Sequence, residues 1–387
     1  MIVSSVVLRL QKNAIIESSR IGIYPATNRE NSNVKHPSQS LHTFKSFITT
    51  HSGFDYPYRK KRLPSTTKLL YTVSRPEFIP ANSASLVIGL AWGLMLPVDL
   101  LFGLVVPLVL AYAVITLVAA YAAQINSLSD YDLDVRDETK KGLVQAMSQL
   151  KRSRLKMFMG LELAVSFILV LILVWIQAKP FLLLFWTTGV FLAHSYSAPP
   201  IRLKSRGVLA VITLLLVLSV LPVSFIAYVF TTSLSYAFFL FLFGQALTVY
   251  GVIVPAEIRD YFGDRKNGVV TFTVQLGLTK ASLLGITLLG IGGTLAGAGL
   301  ALTLAFSKWP WLMVFLVAMT VAYLYILRKY WKLYVLSRRH AAASATGKEG
   351  VLEGEIVTLA AENPKWITLI TQAIVLICIV LLVSKII

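Results

Sequence analysis

The stretch NSLSDYDLD, Asn126 to Asp134, sets three aspartates and an asparagine directly behind about twenty almost wholly apolar residues. The apolar part calls for lipid as its solvent. The carboxylates at its end call for something positive, because ionisable groups at the edge of a membrane helix are costly without a partner. How a chain satisfies both decides its fold.

The composition agrees with lipid. The 387 residues are 56% hydrophobic and only 14% charged, with a mean hydropathy of +0.72, which excludes an ordinary water-soluble globule. Runs able to cross roughly 30 Å of hydrocarbon are expected at about 84–98, 102–125, 155–176, 180–195, 208–230, 234–256, 280–305, 309–330 and 366–387. The expected fold class is therefore all-α, a polytopic bundle of about nine transmembrane helices with cytoplasmic cap loops. The single cysteine, Cys378, lies in the last run and can form neither an intrachain disulfide nor a cysteine zinc site.

Residues 1–70 differ from the rest. The first 80 residues carry 12 Lys+Arg against 4 Asp+Glu, including Arg59-Lys60-Lys61-Arg62. They are expected to be a disordered cytoplasmic extension whose basic cluster lies on anionic headgroups, with the membrane domain over 71–387. Met1 to Leu10 lacks the apolar core of a secretory signal, and Glu17 and Glu30 argue against an organelle transit peptide.

The net charge of +18 does not imply nucleic acid, because the basic residues flank hydrophobic spans. Of 36 Lys+Arg, only Lys179, Lys308 and Lys385 fall on loops after odd-numbered spans or at the C-terminus. The positive-inside rule then places the N-terminus and both acidic clusters, 126–138 and 257–264, in the cytoplasm, and makes Lys308-Trp309-Pro310-Trp311 an interfacial anchor opposite. The expected location is the cell inner membrane, or an organelle membrane.

On a helix, residues four apart share a face, so Asn126, Asp130 and Asp134 form one polar stripe while Asp132 points elsewhere. EIRDYFGD repeats the device, with Glu257, Asp260 and Asp264 at i, i+3 and i+7. Two carboxylate stripes at matched depth would repel unless cations lay between them. Hard oxygen ligands suit Mg²⁺ that bridges to substrate phosphates, and a diphosphate is the natural third party. Lys140-Lys141 follow the first stripe, and Arg202, Lys204 and Arg206 in Tyr196 to Gly207 are placed to clamp phosphate. Pro199-Pro200 predict that this loop is extended and stiff.

These residues resemble the UbiA superfamily of intramembrane prenyltransferases. Its first motif is matched by Asn126, Asp130, Asp134 and Lys141, and its second by Glu257, Asp260, Gly263, Asp264, Gly268 and Thr271. Tyr196 to Gly207 is similar to the family's loop after helix four. Ser127 and Glu257 depart from the family's usual acids, and Lys141-Gly142 stands where Arg-Pro is frequent. The resemblance implies a helical bundle with a central cavity, Mg²⁺ as cofactor, and Asp130, Asp260 and Tyr196 as catalytic residues. An allylic isoprenoid diphosphate would ionise between the stripes, and a lipophilic or aromatic small-molecule acceptor would capture the prenyl group.

Terpene cyclisation without an acceptor is the alternative chemistry, and a lipid-phosphate transporter a non-catalytic one that would want broken helices at midplane. Tyr250, seven residues before Glu257, is either a cation-stabilising ring or a packing tyrosine. Ala119, Ala122 and Ala123 give width for a prenyl chain or for close helix packing. Glu162, two turns inside its span, is suspect as a functional acid, and His194 is a candidate base.

Overall fold

A computed structural model describes residues 65–76, 79–94, 100–135, 140–266, 268–305, 313–343 and 349–386. The anchor sequence at 308–311 and the extension up to residue 64 lie outside the described residues, as do Asp137 and Glu138 of the first acidic cluster. Among the described residues every element is helical, as the composition requires.

Among the described residues, six helices are long and apolar enough to cross a membrane: Phe102–Asp134, Arg152–Gln177, Val208–Phe230, Tyr236–Lys266, Leu278–Ala305 and Val314–Ala343. The first, fourth and last hydropathy segments fall on shorter apolar helices, Ile79–Gly93, Phe181–Ser197 and Thr368–Val383. Each expected segment thus falls on a helix among the described residues, six of them long enough by that measure, and the last belongs to a helix that runs Asn363–Ile386.

In chain order the helices are α1 (Thr66–Val73), α2 (Ile79–Gly93), α3 (Val106–Asp134), α4 (Lys141–Gln149), α5 (Arg152–Gln177), α6 (Phe181–Ser197), α7 (Val208–Leu215), α8 (Leu221–Phe230), α9 (Tyr236–Lys266), α10 (Phe272–Leu276), α11 (Leu278–Ala305), α12 (Val314–Ala343), α13 (Glu349–Ala360) and α14 (Asn363–Ile386). Ser65 starts α1, its hydroxyl accepting from the Lys68 amide at 3.3 Å. Leu69, Leu70 and Val73 then pack against Tyr121, Ile125 and Ala146. A domain boundary at residue 70 thus falls inside a helix that is seated on the bundle.

Prolines set the irregular turns. Two π-helical turns, Leu100–Val105 and Leu216–Val220, each end two residues before a proline, Pro107 and Pro222. Proline has no amide hydrogen to give the carbonyl four residues back, and widening the turn is one way a helix absorbs that loss. The second π turn joins α7 to α8 in one continuous span.

Pro255 lies inside α9 and leaves the carbonyl of Gly251 without its helical donor. The Tyr330 hydroxyl of α12 supplies one at 3.1 Å. The next carbonyl, Val252, accepts from Asn363 Nδ2 at 2.6 Å. In lipid no water can satisfy a freed carbonyl, so these two side chains fix α9 five and six residues before Glu257.

α9 and α11 approach through glycine. A Cβ on Gly244 would stand 2.3 Å from the Ala296 amide and 2.5 Å from the Gly292 carbonyl, so only hydrogen fits there, as at membrane helix crossings generally. On the far side of the bundle, Lys179 donates to the carbonyls of Tyr228 and Val229 at 3.0 and 2.8 Å, closing the last turn of α8 with a cation.

Candidate functional site: two acidic helix ends and a basic loop

The first stripe forms as its spacing predicts. Asn126 and Asp130 are half-buried at the end of α3, Asp134 is buried, and Asp132 is exposed. The cations that meet them come mainly from one loop. Lys204 donates to the Asp130 carboxylate and to Asn126 Oδ1 at 3.3 Å. Arg202 Nη2 reaches Asp130 Oδ1 at 3.2 Å.

Local backbone explains why this loop can do so. Ala198 to Ile201 is a run of bends and turns closing α6, and Leu203–Ser205 is a single 3₁₀ turn. The expectation of an extended loop is thereby corrected: the chain after Pro199-Pro200 folds back tightly, with the Arg202 amide bonded to the Ala198 carbonyl at 3.0 Å. Arg202 itself takes a left-handed conformation, φ 41°, which is rare for a residue with a Cβ. The fold-back aims alternate residues, Arg202 and Lys204, at one carboxylate.

Burial pulls the Lys204 ammonium below the ordinary lysine value, while the charge and hydrogen bond of Asp130 oppose that shift. The pair is therefore an ammonium kept charged by a carboxylate in a poorly hydrated place.

The second stripe differs from its expected form. Glu257 is half-buried and accepts from the Thr273 hydroxyl, with the Tyr250 side chain close enough to influence its charge. Asp260 is exposed and paired with its own neighbour, Arg259, at 2.8 and 3.2 Å. Asp264 is half-buried. Spacing put all three on one inward face; the structure turns Asp260 outward.

Tyr196 is half-buried at the end of α6 and close enough to feel the charge of both Glu257 and Asp130. Tyr250, one of the largest fully buried side chains, is near Tyr196 as well.

Two further cations were expected here. Arg206 is exposed and bonds the Pro200 carbonyl at 3.4 Å, holding the loop's own turn. Lys141 opens α4, exposed, and its neighbour Lys140 bonds Asp134 at 2.6 Å. Ser197 and Thr273 were not foreseen. Ser197 Oγ donates to Asn126 Oδ1 at 2.9 Å, and both hydroxyls orient a polar group of a motif. Thr271, the next-but-one neighbour of Thr273, caps α10 through the Val274 amide at 3.3 Å, so a Thr-x-Thr pair after Gly268 was the available signal.

Glu162 does not reach this site. Gln124 Nε2 donates to it at 2.7 Å and to Ser74 Oγ at 2.9 Å, tying α5 and α1 to α3. His194 Nδ1 bonds the Tyr121 hydroxyl at 2.7 Å.

Residues 86–348 match the model of the UbiA prenyltransferase family. The chain belongs to that family. Among curated relatives, 2-acylphloroglucinol 4-prenyltransferase of Humulus lupulus is 28% identical over 175 residues, 44% of this chain and 41% of the relative. The UbiA chain thus aligns with about two fifths of that relative's length. Two solved structures share the fold. Digeranylgeranylglyceryl phosphate synthase in membranes gives a TM-score of 0.56 at 14% identity, covering 81% of this chain and 99% of that one. A UbiA homologue from Archaeoglobus fulgidus bound to GPP and Mg²⁺ gives 0.52 at 17%, covering 76% and 99%.

Among the described residues no three carboxylate, histidine or cysteine side chains cluster as a ready metal cage. The donor set nonetheless fits Mg²⁺: it is all hard oxygen, split between two helix ends, and this ion is commonly held by one or two carboxylates plus substrate phosphates.

Proposed function

We propose that this UbiA-family protein is a membrane prenyltransferase, moving the prenyl group of an allylic isoprenoid diphosphate to a lipophilic or aromatic acceptor. The observation that carries this reading is the convergence of Arg202 and Lys204 on Asp130, with Lys204 also bonding Asn126 and with Tyr196 in electrostatic range of both Asp130 and Glu257. A site that presents cations and carboxylates together, at the end of an apolar bundle, suits an anionic headgroup with a hydrocarbon tail. The prenyltransferase from Humulus lupulus and the GPP- and Mg²⁺-bound homologue support the same chemistry.

Asp130 and Asp134 on α3, with Glu257, Asp260 and Asp264 on α9, would hold Mg²⁺, which supplies positive charge to the departing diphosphate. Arg202 offers two donors in a fixed fork and Lys204 a point charge; both would exchange Asp130 for phosphate oxygens. Ser197 keeps Asn126 oriented and Thr273 keeps Glu257 oriented. The backbone of Tyr250 lies about 10 Å deeper than that of Glu257 along α9 by helix rise, and its ring, below the Glu257 carboxylate, would offer a π face to positive charge on an allylic fragment. Its burial excludes water from that fragment.

The test is incubation of the purified protein with geranyl diphosphate, Mg²⁺ and a panel of phenolic acceptors. Acceptor-dependent diphosphate release with a prenylated product is expected. Release of a hydrocarbon without acceptor would replace transfer by cyclisation.

A further inference from the structure

α12 carries a feature that the prenyl-transfer site does not use. A cleft of about 430 Å³ lies between α11, α12 and α14, lined by small and apolar side chains including Gly297, Ala301, Leu324, Leu327, Ile370 and Ala373. A second, shallower groove lies further along the same helix, formed by Trp331, Tyr334, Val335, Arg338, Arg339 and Ala342.

The two are continuous around the axis. At 100° per residue, Thr320, Leu324 and Leu327 of the cleft and Trp331, Val335 and Arg338 of the groove fall within about 80° of one another. From Leu324 to Arg338 the rise is about 21 Å, which matches half of the roughly 30 Å hydrocarbon core plus the headgroup level.

The two ends differ in chemistry. The cleft end is hydrocarbon. At the other end Arg338 and Arg339 are exposed, and among the described residues neither pairs with a carboxylate. Trp331, 55% exposed, and Tyr334 lie beside them with ring centroids 5.5 Å apart, the residue types that settle at a membrane–water interface. The basic end sits level with the acidic motif of α9, because the rings of His340 and Phe262 meet at 5.3 Å.

We propose that this stripe of α12 is a binding site for an anionic phospholipid, with one chain in the cleft and the phosphate on Arg338 and Arg339. Charge complementarity selects the headgroup, and the cleft selects a molecule with a long apolar chain over a free phosphate.

The site is tested on the full-length protein by delipidation and native mass spectrometry, titrating phosphatidylglycerol, phosphatidylcholine or inorganic phosphate. Wild type is expected to retain one phosphatidylglycerol at concentrations where phosphatidylcholine is lost. Arg338→Gln with Arg339→Gln, both at exposed positions, should weaken that binding about tenfold or more, from roughly 1 kcal/mol per basic residue near a headgroup. Gly297→Leu should weaken it comparably by filling the cleft; a Cβ there meets no atom within 4 Å, so the helices need not move. Equal retention of phosphatidylglycerol by either variant would overturn the proposal. So would equal retention of phosphatidylcholine, or displacement of the lipid by inorganic phosphate.

Discussion

Lys204 donates to the carboxylate of Asp130 across 74 residues of chain, so the loop after α6 and the acidic end of α3 form one unit. If that unit receives the diphosphate, Asp130→Asn keeps size and removes the charged ligand, and turnover should fall by about a hundredfold, the scale of one strong transition-state electrostatic contact. Asp132, exposed on the other side of the same helix, tests the geometry: Asp132→Asn should cost less than about tenfold. The measurement is diphosphate release by each purified variant. Equal damage from both would mean that α3 does not present the stripe its spacing implies.

The buried position of Lys204 makes a pH prediction. Its folded-state value is lowered, so as pH rises the folded protein gives up this proton before an unfolded chain would. In the window between the lowered value and the ordinary lysine value, this group makes the fold more stable with rising pH. The same loss of charge removes a phosphate contact. Affinity for geranyl diphosphate should fall in that alkaline window, and Lys204→Arg should hold it higher there, because a guanidinium stays charged. Superimposable binding profiles for the two proteins would remove Lys204 from the headgroup site.

Asp260 shows where sequence stops. Helical periodicity gives the angle between side chains but not the absolute rotation of the helix, which packing sets. Asn126, Asp130 and Asp134 fall on the half-buried to buried side of α3 and Asp132 on the exposed side, so there the spacing and the packed rotation agree. On α9, Pro255 and the glycine contacts with α11 set the rotation, and Asp260 emerges exposed on Arg259. Asp260→Asn therefore tests the stripe more severely than Asp130→Asn: a hundredfold loss is expected only if substrate draws Asp260 away from Arg259. The membrane class, the helix positions and the basic loop were readable from hydropathy and charge. The tight fold-back of that loop and the hydroxyls of Ser197 and Thr273 depend on tertiary contacts that no local pattern encodes.

Removal of residues 1–62 should leave turnover intact, whereas removal of residues 1–74 should not. The second deletion takes away α1, whose apolar face covers Tyr121 and Ile125, and Ser74, which accepts from Gln124. Size-exclusion profiles and diphosphate release in detergent distinguish the two. Loss of activity in a monodisperse 63–387 protein would show that the extension contributes to the site.

The α9–α11 contact predicts a stability difference between glycines. Gly244→Val would drive side-chain atoms into the Ala296 backbone and should cost about 1–3 kcal/mol, the usual scale of overpacking. Gly290→Ala adds a methyl group to open space and should be neutral or slightly stabilising through helix propensity. Thermal unfolding in detergent checks both.

The bond from Tyr330 to the Gly251 carbonyl answers a deficit made by Pro255, and this can be shown by a cycle. Tyr330→Phe leaves that carbonyl without a donor in an apolar interior, at a cost of about 1–3 kcal/mol, and frees the part of α9 that precedes Glu257. Turnover should fall together with stability. Pro255→Ala restores an amide hydrogen that Gly251 can accept in the helix, so in that background Tyr330→Phe should lose most of its effect. The interaction energy from the four proteins should be of the order of 1 kcal/mol and compensating in sign. Additive losses would mean that Tyr330 acts by packing, with its hydroxyl making no separate contribution to the position of Glu257.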